Sequence, residues 1–401
     1  MKILLLNTSE RTGGAAVAAS RLLNALRKAG VEANMLTGEK KTIANRFRFL
    51  WERLTIFLCN KGSRKNLFQV SIANTGTDIS KHPLVRQADV IHLHWINQGF
   101  LSLNDIKRLI RSGKPVVWTL HDLWPATAIC HYPGCCEKFK QECSACPKPV
   151  DNPLWDLARR VFKKKATIPF HQVTFVGCSR WITEQAGTSA LLRQAGFYAV
   201  PNPIDTKIFK PADKAAVRKS LGLDANRYSV LFAAAKLSDS RKGARYLLES
   251  LRILKEKTPA LPVEIVLMGN GSDELIRDFP FPVKELGYIS DEKRKAECYA
   301  AADVFVSPSL EDNLPNTIME AMACGTPPVG FRTGGIPEMI DHKKNGYVAR
   351  YEDAADLAEG ILWVIENREK ENLSQACVEK VSANYSEAVV AGKYMDIYNK
   401  V

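Results

Sequence analysis

The feature that most constrains this sequence is a repeated alternation: short apolar runs end in glycine or polar residues and give way to stretches with helical periodicity. The first run is Lys2-Ile-Leu-Leu-Leu-Asn7; Gly13-Gly14 follows, and a helical pattern runs from Ala15 to Lys28, where Gly30 ends it. Asp89-Val-Ile-His-Leu-His94, Pro115-Val-Val-Trp-Thr-Leu120 and Val173-Thr-Phe-Val-Gly-Cys-Ser179 repeat the theme. Runs without polar alternation suit strands buried on both faces, and strands separated by helices belong in a parallel sheet with crossover connections. Between 200 and 211, Val-Pro-Asn-Pro-Ile-Asp-Thr-Lys-Ile-Phe-Lys-Pro carries three prolines among polar turn residues, the composition of an interdomain linker. A second series then starts, at Ser229–Ala234, Val263–Gly269, Val304–Ser307 and Pro327–Gly330. The chain is therefore expected to be α/β, with two Rossmann-like domains facing each other across a central cleft and ligands at the carboxyl ends of the strands.

Composition narrows the partners. With 46% apolar and 25% charged residues, the chain is neither disordered nor collagenous. Only four apolar residues follow Lys2 directly, too few for a signal-peptide core, and no stretch approaches the roughly 18 apolar residues of a membrane span, so a cytoplasmic location is expected. Lysine and arginine number 56 against 43 acids, a net charge of +13. Such a surplus suits nucleic acid, a phosphorylated substrate or an acidic membrane, or else a merely solvated basic surface. No nucleic-acid recognition motif accompanies it. Between Asn45 and Cys59, Phe47, Leu50, Trp51, Leu54 and Phe57 or Leu58 recur at helical spacing beside Arg46, Arg48, Arg53, Lys61, Arg64 and Lys65. Two readings stay open: a helix lying on anionic lipid at the inner face of a membrane, or an amphipathic helix packed on its own sheet. A second basic run, Arg159 to Lys165, would extend the patch.

The strongest chemical signal lies between Val304 and Val348. A strand ends at Ser307-Pro308, the acidic loop Glu311-Asp312-Asn313-Leu314 follows, and Pro315 can open a helix that runs to Ala323 and closes at Gly325. Free amides at that helix start suit a phosphate or polarised sugar oxygens. Glu320, inside the helix, can accept hydrogen bonds from paired hydroxyls such as those of a ribose. Upstream, Lys236, Arg241 and Lys242 gather cations where a departing diphosphate would gain charge. A solvated basic turn is the plainer account of that cluster.

Together these segments resemble the signature of the family 4 glycosyltransferases, retaining enzymes of the GT-B architecture. The family carries a Glu, seven residues and a second Glu before Ala-Met-Ala-x-Gly-Thr-Pro. Here the second acid is Glu320, and counting back eight reaches Asp312 rather than Glu311. The resemblance implies that Glu320 binds the nucleotide ribose and that the loop with Asp312, Asn313, Leu314 and Asn316 cradles the donor sugar. Lys236, Arg241 and Lys242 would neutralise the diphosphate. Gly269, in Met268-Gly-Asn-Gly271, would bound the nucleotide site, and Gly13-Gly14 would lie beneath the sugar diphosphate. His121, at the end of the run Val116–Leu120, matches a histidine that faces the donor sugar in many members, although a structural histidine is an equal reading from sequence. His94-Trp95-Ile96-Asn97 would line the acceptor side, with Trp95 expected in the core. The implied reaction moves a sugar from a nucleoside diphosphate to a hydroxyl of a glycan or lipid-linked oligosaccharide, with no obligatory cofactor and with catalysis resting on His121, Lys242, Asp312 and Glu320. The acceptor domain would span 1–202 and the donor domain 203–384, with a C-terminal helix, 385–401, crossing back. A nucleotide-sugar-binding or scaffold protein of the same fold is the competing reading.

One segment departs from the general family. Cys130, Cys135, Cys136, Cys143 and Cys146 crowd into 17 residues. In a reducing compartment such spacing reads as metal ligands before disulfides. Cys130 and Cys135 with Cys143 and Cys146 can supply the four ligands of a closed structural zinc site, Cys136 or His131 being alternates. Free thiols or a redox pair are the other readings. The His-Asp-x-Trp followed by these cysteines resembles colanic-acid-type glycosyltransferases of bacterial surface-polysaccharide synthesis.

Overall fold

The computed structural model describes residues 1–38, 43–148, 156–271 and 276–401. They form two compact units, one of Met1–Asn202 with Val390–Val401 and one of Pro203–Val389.

The first unit is built on β1 (Lys2–Asn7), β2 (Glu32–Thr37), β3 (Val90–Leu93), β4 (Val116–Leu120), β5 (Val173–Gly177) and β6 (Gly196–Ala199). They lie in the order β2-β1-β3-β4-β5-β6, all parallel. Successive side chains point to opposite faces, and both faces are covered. Leu4, Leu6, Ile91, Leu93 and Trp118 enter one core, while Ile3, Leu5, Val90 and Val117 enter another. This double burial is why the runs show no polar alternation. The end of the chain helps cover the second face: Val390, Tyr394, Ile397 and Tyr398, on the helix Glu387–Tyr398, join that core.

The second unit holds β7 (Tyr228–Lys236), β8 (Val263–Asn270), β9 (Val283–Gly287), β10 (Val304–Ser307), β11 (Pro328–Phe331) and β12 (Tyr347–Ala349). Their order is β12-β11-β10-β7-β8-β9, again all parallel. In each sheet the direction of winding reverses once, between β1 and β3 and between β7 and β10. Connections leave to either side of such a point, so the loops at the strands' carboxyl ends part and open a crevice. The proline-rich segment spans the boundary between the units and is well anchored: Phe209 is buried, and the Ile204 amide donates to the Tyr385 carbonyl at 2.9 Å.

The structure sorts the readings of two basic segments, the second of which keeps Arg159, Arg160, Lys163 and Lys164 exposed. The helix Ile43–Cys59 buries Glu52, Arg53 and Ile56 and leaves Phe47, Leu50, Trp51, Leu54 and Leu58 exposed, so its apolar stripe does not pack on the sheet. Lys165 does not extend a basic patch. It is fully buried, donating to the Trp124 and Thr127 carbonyls at 2.5 and 3.0 Å, and burial pulls its pKa well below the usual lysine range.

Candidate functional site

Candidate residues gather at the carboxyl ends of the strands, at the reversal point in the second unit and beside it, after β3 and β4, in the first. In the second unit, the loop after β7 carries Lys236, Arg241 and Lys242, and the loop after β10 carries Asp312 to Asn316. Backbone contacts hold the loop after β10 to its neighbours on both sides: the Leu310 amide donates to the Arg241 carbonyl, in the loop after β7, at 2.7 Å, and the Gly335 amide, in the loop after β11, donates to the Asn313 carbonyl at 2.7 Å. Two glycines permit this closeness. A Cβ at Gly243 would stand 1.8 Å from the Pro308 carbonyl oxygen, and one at Gly334 would stand 1.7 Å from that of Asp312. Both glycines also take positive φ, so no other residue fits.

Across this junction Lys242 Nζ meets Asp312 Oδ2 at 2.6 Å, with both side chains partly exposed. Here Asp312, not Glu311, faces the lysine. Arg241 donates to Asp239 through Nη2 and Nε at 2.7 and 3.2 Å. Burial raises the Asp239 pKa, but the hydrogen bonds and charge of Arg241 outweigh it and hold the carboxyl below its usual range. Lys236 is exposed. The helix Asn316–Ala323 begins behind Pro315, whose side chain caps nothing, and the positive end of its dipole lies at this turn. Within it Glu320 is buried, and its Oε2 accepts from the Tyr299 hydroxyl at 3.0 Å, a partner the sequence did not advertise. Asn313 and Leu314 are buried beside it. At Gly269, at the end of β8, a Cβ would stand 1.9 Å from the Ala234 carbonyl oxygen, so only glycine allows the backbone to pass there.

In the first unit the corresponding cluster is built on buried imidazoles. His121 Nε2 lies 2.9 Å from His94 Nδ1, and its Nδ1 lies 3.5 Å from Cys178 Sγ. Cys178 donates to Asn202 Oδ1 at 3.1 Å. The thiol has a single proton, so Nδ1–H of His121 must donate to the sulfur; His121 Nε2 then accepts from His94 Nδ1–H, and His94 Nε2 is left as an acceptor. That atom is buried without a hydrogen-bond partner among the described residues, as is Asn97 Oδ1, and both residues line one pocket with Trp95, His121 and Asp122. Burial pulls the His121 pKa down to about 4 and the His94 pKa well below the imidazole range. Both nitrogens of His121 are thus engaged within this unit.

Asp122 and Trp95 shape the same loop. Asp122 Oδ2 accepts from Trp95 Nε1 at 2.9 Å and lies 2.6 Å from His131 Nδ1. Burial raises the Asp122 pKa, but the adjoining His131 and three donated hydrogen bonds bring it below the usual range. Trp95 is half-buried over the pocket, not in the core as expected. Gly13, at φ 93°, precedes the helix Gly14–Lys28, whose start has no side-chain cap; a Cβ at Gly13 would meet nothing.

The cysteine-rich segment gathers four of its five cysteines. Cys130, Cys136, Cys143 and Cys146 line one pocket with Phe139 and Ala158. Cys135 is exposed and takes no part, and His131 is engaged by Asp122 and by Ser71 Oγ at 3.1 Å. Burial pushes the Cys130 thiol up to about 12 and that of Cys143 to about 11. The donor chemistry fits zinc, but among the described residues no three ligand-type side chains stand close enough to hold an ion.

Residues 12–208 match the family described as Glycosyltransferase Family 4, and residues 228–367 match Glycosyl transferases group 1. A D-inositol 3-phosphate glycosyltransferase of Pseudarthrobacter chlorophenolicus is 29% identical over 286 residues, covering 68% of this chain and 61% of the relative. The chain spans about half to three-fifths of the length of the curated relatives it matches. A sucrose-phosphate synthase from Thermosynechococcus elongatus superimposes over 100% of this chain and 98% of its own, with a TM-score of 0.71 at 18% identity. Anabaena HepE, solved in complex with UDP-glucose, superimposes over the full length of both chains with a TM-score of 0.65 at 19% identity.

Proposed function

The chain belongs among the GT-B glycosyltransferases on the matches to both its halves, and from that premise we propose that it transfers a sugar, with retained configuration, from a nucleoside diphosphate to a hydroxyl of a surface glycan or lipid-linked oligosaccharide. The observation that carries this reading is the Lys242–Asp312 pair beside an uncapped helix start with Glu320 buried behind it. An ammonium, a carboxylate and the positive end of a helix dipole at a sheet's reversal point suit a sugar diphosphate.

In this scheme the Lys242 ammonium turns from Asp312 to the diphosphate as the anomeric C–O bond breaks, with Arg241, Lys236 and the helix amides sharing the developing charge. Asp312, released, accepts from a sugar hydroxyl. Glu320, held at Oε2 by Tyr299, accepts from the ribose hydroxyls. The acceptor oxygen bonds to the anomeric carbon on the face that the diphosphate leaves, and its proton passes to the departing phosphate. These groups supply the positive charge without an obligatory divalent ion. The second unit takes the donor; the first takes the acceptor, with His94 and Asn97 offering acceptor atoms to its hydroxyls and His121 positioning His94. We place the work at the cytoplasmic face of a membrane. Zinc, where bound, would be structural, and Cys130, Cys136, Cys143 and Cys146 would have to draw closer to hold it; about one zinc per chain after dialysis would support this, and a stable metal-free protein would discard it.

The test is a panel of nucleotide sugars, followed for binding, slow hydrolysis and transfer. Wild type turns over at least one donor, and Glu320→Ala loses that turnover while keeping its thermal midpoint. Binding without turnover would favour a nucleotide-sugar-binding protein, and no binding at all would end both readings.

A further inference from the structure

The helix Ile43–Cys59 is built inside out. Its charged residues Glu52 and Arg53 are buried, at 0% and 5% exposure, whereas Phe47, Leu50 and Leu58 are exposed at 63%, 62% and 65%. Trp51 and Leu54 complete the same stripe, and Phe47 stacks on Trp51 with ring centroids 6.1 Å apart. The inward face is fixed by bonds that a rolling helix would break. Glu52 Oε1 accepts from the Ile72 and Ala73 amides at 2.7 and 3.0 Å, and Arg53 Nη1 donates to the Leu67 and Val70 carbonyls at 2.6 and 3.1 Å. The two side chains also pair with each other at 3.3 Å. The apolar stripe therefore cannot turn inward without stranding a buried ion pair.

Among residues 43–68 the exposed charge has one sign. Arg46, Lys61, Arg64 and Lys65 are exposed, Phe68 adds a further exposed ring, and the only acid between 43 and 68 is the buried Glu52. We propose that this face docks on an anionic lipid bilayer, with the aromatic and leucine side chains entering the interface and the four cations meeting lipid phosphates. No described helix is long and apolar enough to cross a membrane, so the chain would lie on the surface through this helix. The charge pattern selects lipid over a second copy. A two-fold dimer would set the patch against itself, bringing like cations together with no acid to pair them. The proposal is independent of the transfer reaction, since it rests on a surface that none of the donor or acceptor residues shares.

The full-length chain is mixed with vesicles of phosphatidylcholine alone or with one-third phosphatidylglycerol, and sedimented. Wild type is expected to bind the anionic vesicles at least tenfold more tightly than the neutral ones, with binding that weakens as salt rises. The double variant Phe47→Ser/Leu50→Ser should lose at least tenfold in vesicle affinity, and Arg64→Glu/Lys65→Glu as much again, with unchanged circular dichroism, since all four residues are exposed. Equal binding to both vesicles, or none to either, overturns the proposal. So does a concentration-dependent dimer in sedimentation velocity that Phe47→Ser/Leu50→Ser abolishes, because the face would then belong to a second copy.

Discussion

The two sheets reverse direction at equivalent points and place opposite kinds of chemistry at or beside them. In the second unit the loops after β7 and β10 hold full charges in pairs, Lys242 with Asp312 and Arg241 with Asp239, part exposed and ready to exchange partners. In the first unit the loops after β3 and β4 hold imidazoles in a buried chain through Cys178 to Asn202, and burial keeps those rings neutral. Charge that stays near water can be handed to a charged ligand at low cost, whereas a buried neutral chain can orient a hydroxyl without a large desolvation cost. On the proposed reading, the shallower loops of the second unit serve an anion, and the deeper loops of the first offer buried ring and amide acceptors beside the Asp122 carboxylate.

The sharpest way to break this contrast is Lys242→Ala. If the ammonium meets charge that develops only as the bond breaks, kcat should fall by about 100- to 1000-fold with a smaller change in donor KM. Asp312 would be left with no lysine, so Lys242→Ala/Asp312→Ala should be less than additive. An unchanged kcat would make the pair a surface ion pair, the kind worth about 1 kcal/mol or less.

The first unit predicts a smaller loss and a distinctive pH response. His121→Asn should lower kcat/KM about tenfold, the scale of a single net hydrogen bond. With the His121 pKa drawn down to about 4, a contribution from its neutral ring stays level from pH 8 to about 5 and fails only towards 4; an ordinary imidazole would titrate near 6.5. Stability follows the same sign. Between pH 6.5 and 4 the unfolded chain binds a proton that folded His121 refuses, so stability is full above 6.5 and declines as the pH falls. Buried His92, drawn down to about 3, acts in the same direction. A thermal midpoint that is flat from pH 7 to 4.5 would contradict the buried neutral chain.

How much of this the sequence could show depended on distance along the chain. Both sheets, the glycine-spaced loops and the Asp312 to Glu320 segment were legible because strand periodicity, helix starts and turn glycines are local signals. Partners far apart in sequence were not. Tyr299 holds Glu320 from another helix, Tyr394 and Tyr398 reach Thr119 and His92 from the far end of the chain, and Cys178 with Asn202 completes the histidine chain. Each is a common residue type in an ordinary context, and only the fold brings the pairs together. The helix at 43–59 shows a different limit. Spacing told which residues share a face, but which face turns inward was decided by backbone groups at Leu67, Val70, Ile72 and Ala73 that satisfy Glu52 and Arg53. Of the cysteines, spacing gave the cluster but not the choice of Cys136 over Cys135.

Two tyrosines sharpen the contrast at its finest grain. Tyr394 is buried with its hydroxyl 2.8 Å from Thr119 Oγ1, which itself lies 2.7 Å from His92 Nε2. Tyr299 is equally buried, and its hydroxyl donates to Glu320. Either Phe variant removes one buried hydroxyl, so volume and apolar packing are unchanged. Tyr394→Phe leaves Thr119 a partner short within a core, so it should cost about 1 kcal/mol and lower the midpoint of the first unit by roughly 2–4 °C, with donor KM unaltered. Tyr299→Phe releases a carboxylate that still has a ligand to bind, so its main effect should be a severalfold rise in donor KM. Calorimetry and donor titration on the two variants separate these cases. Were both to act on stability alone, Glu320 would be a structural acid like the hydroxyls around it, and the charged character assigned to the second unit would shrink to Lys242, Asp312 and Arg241.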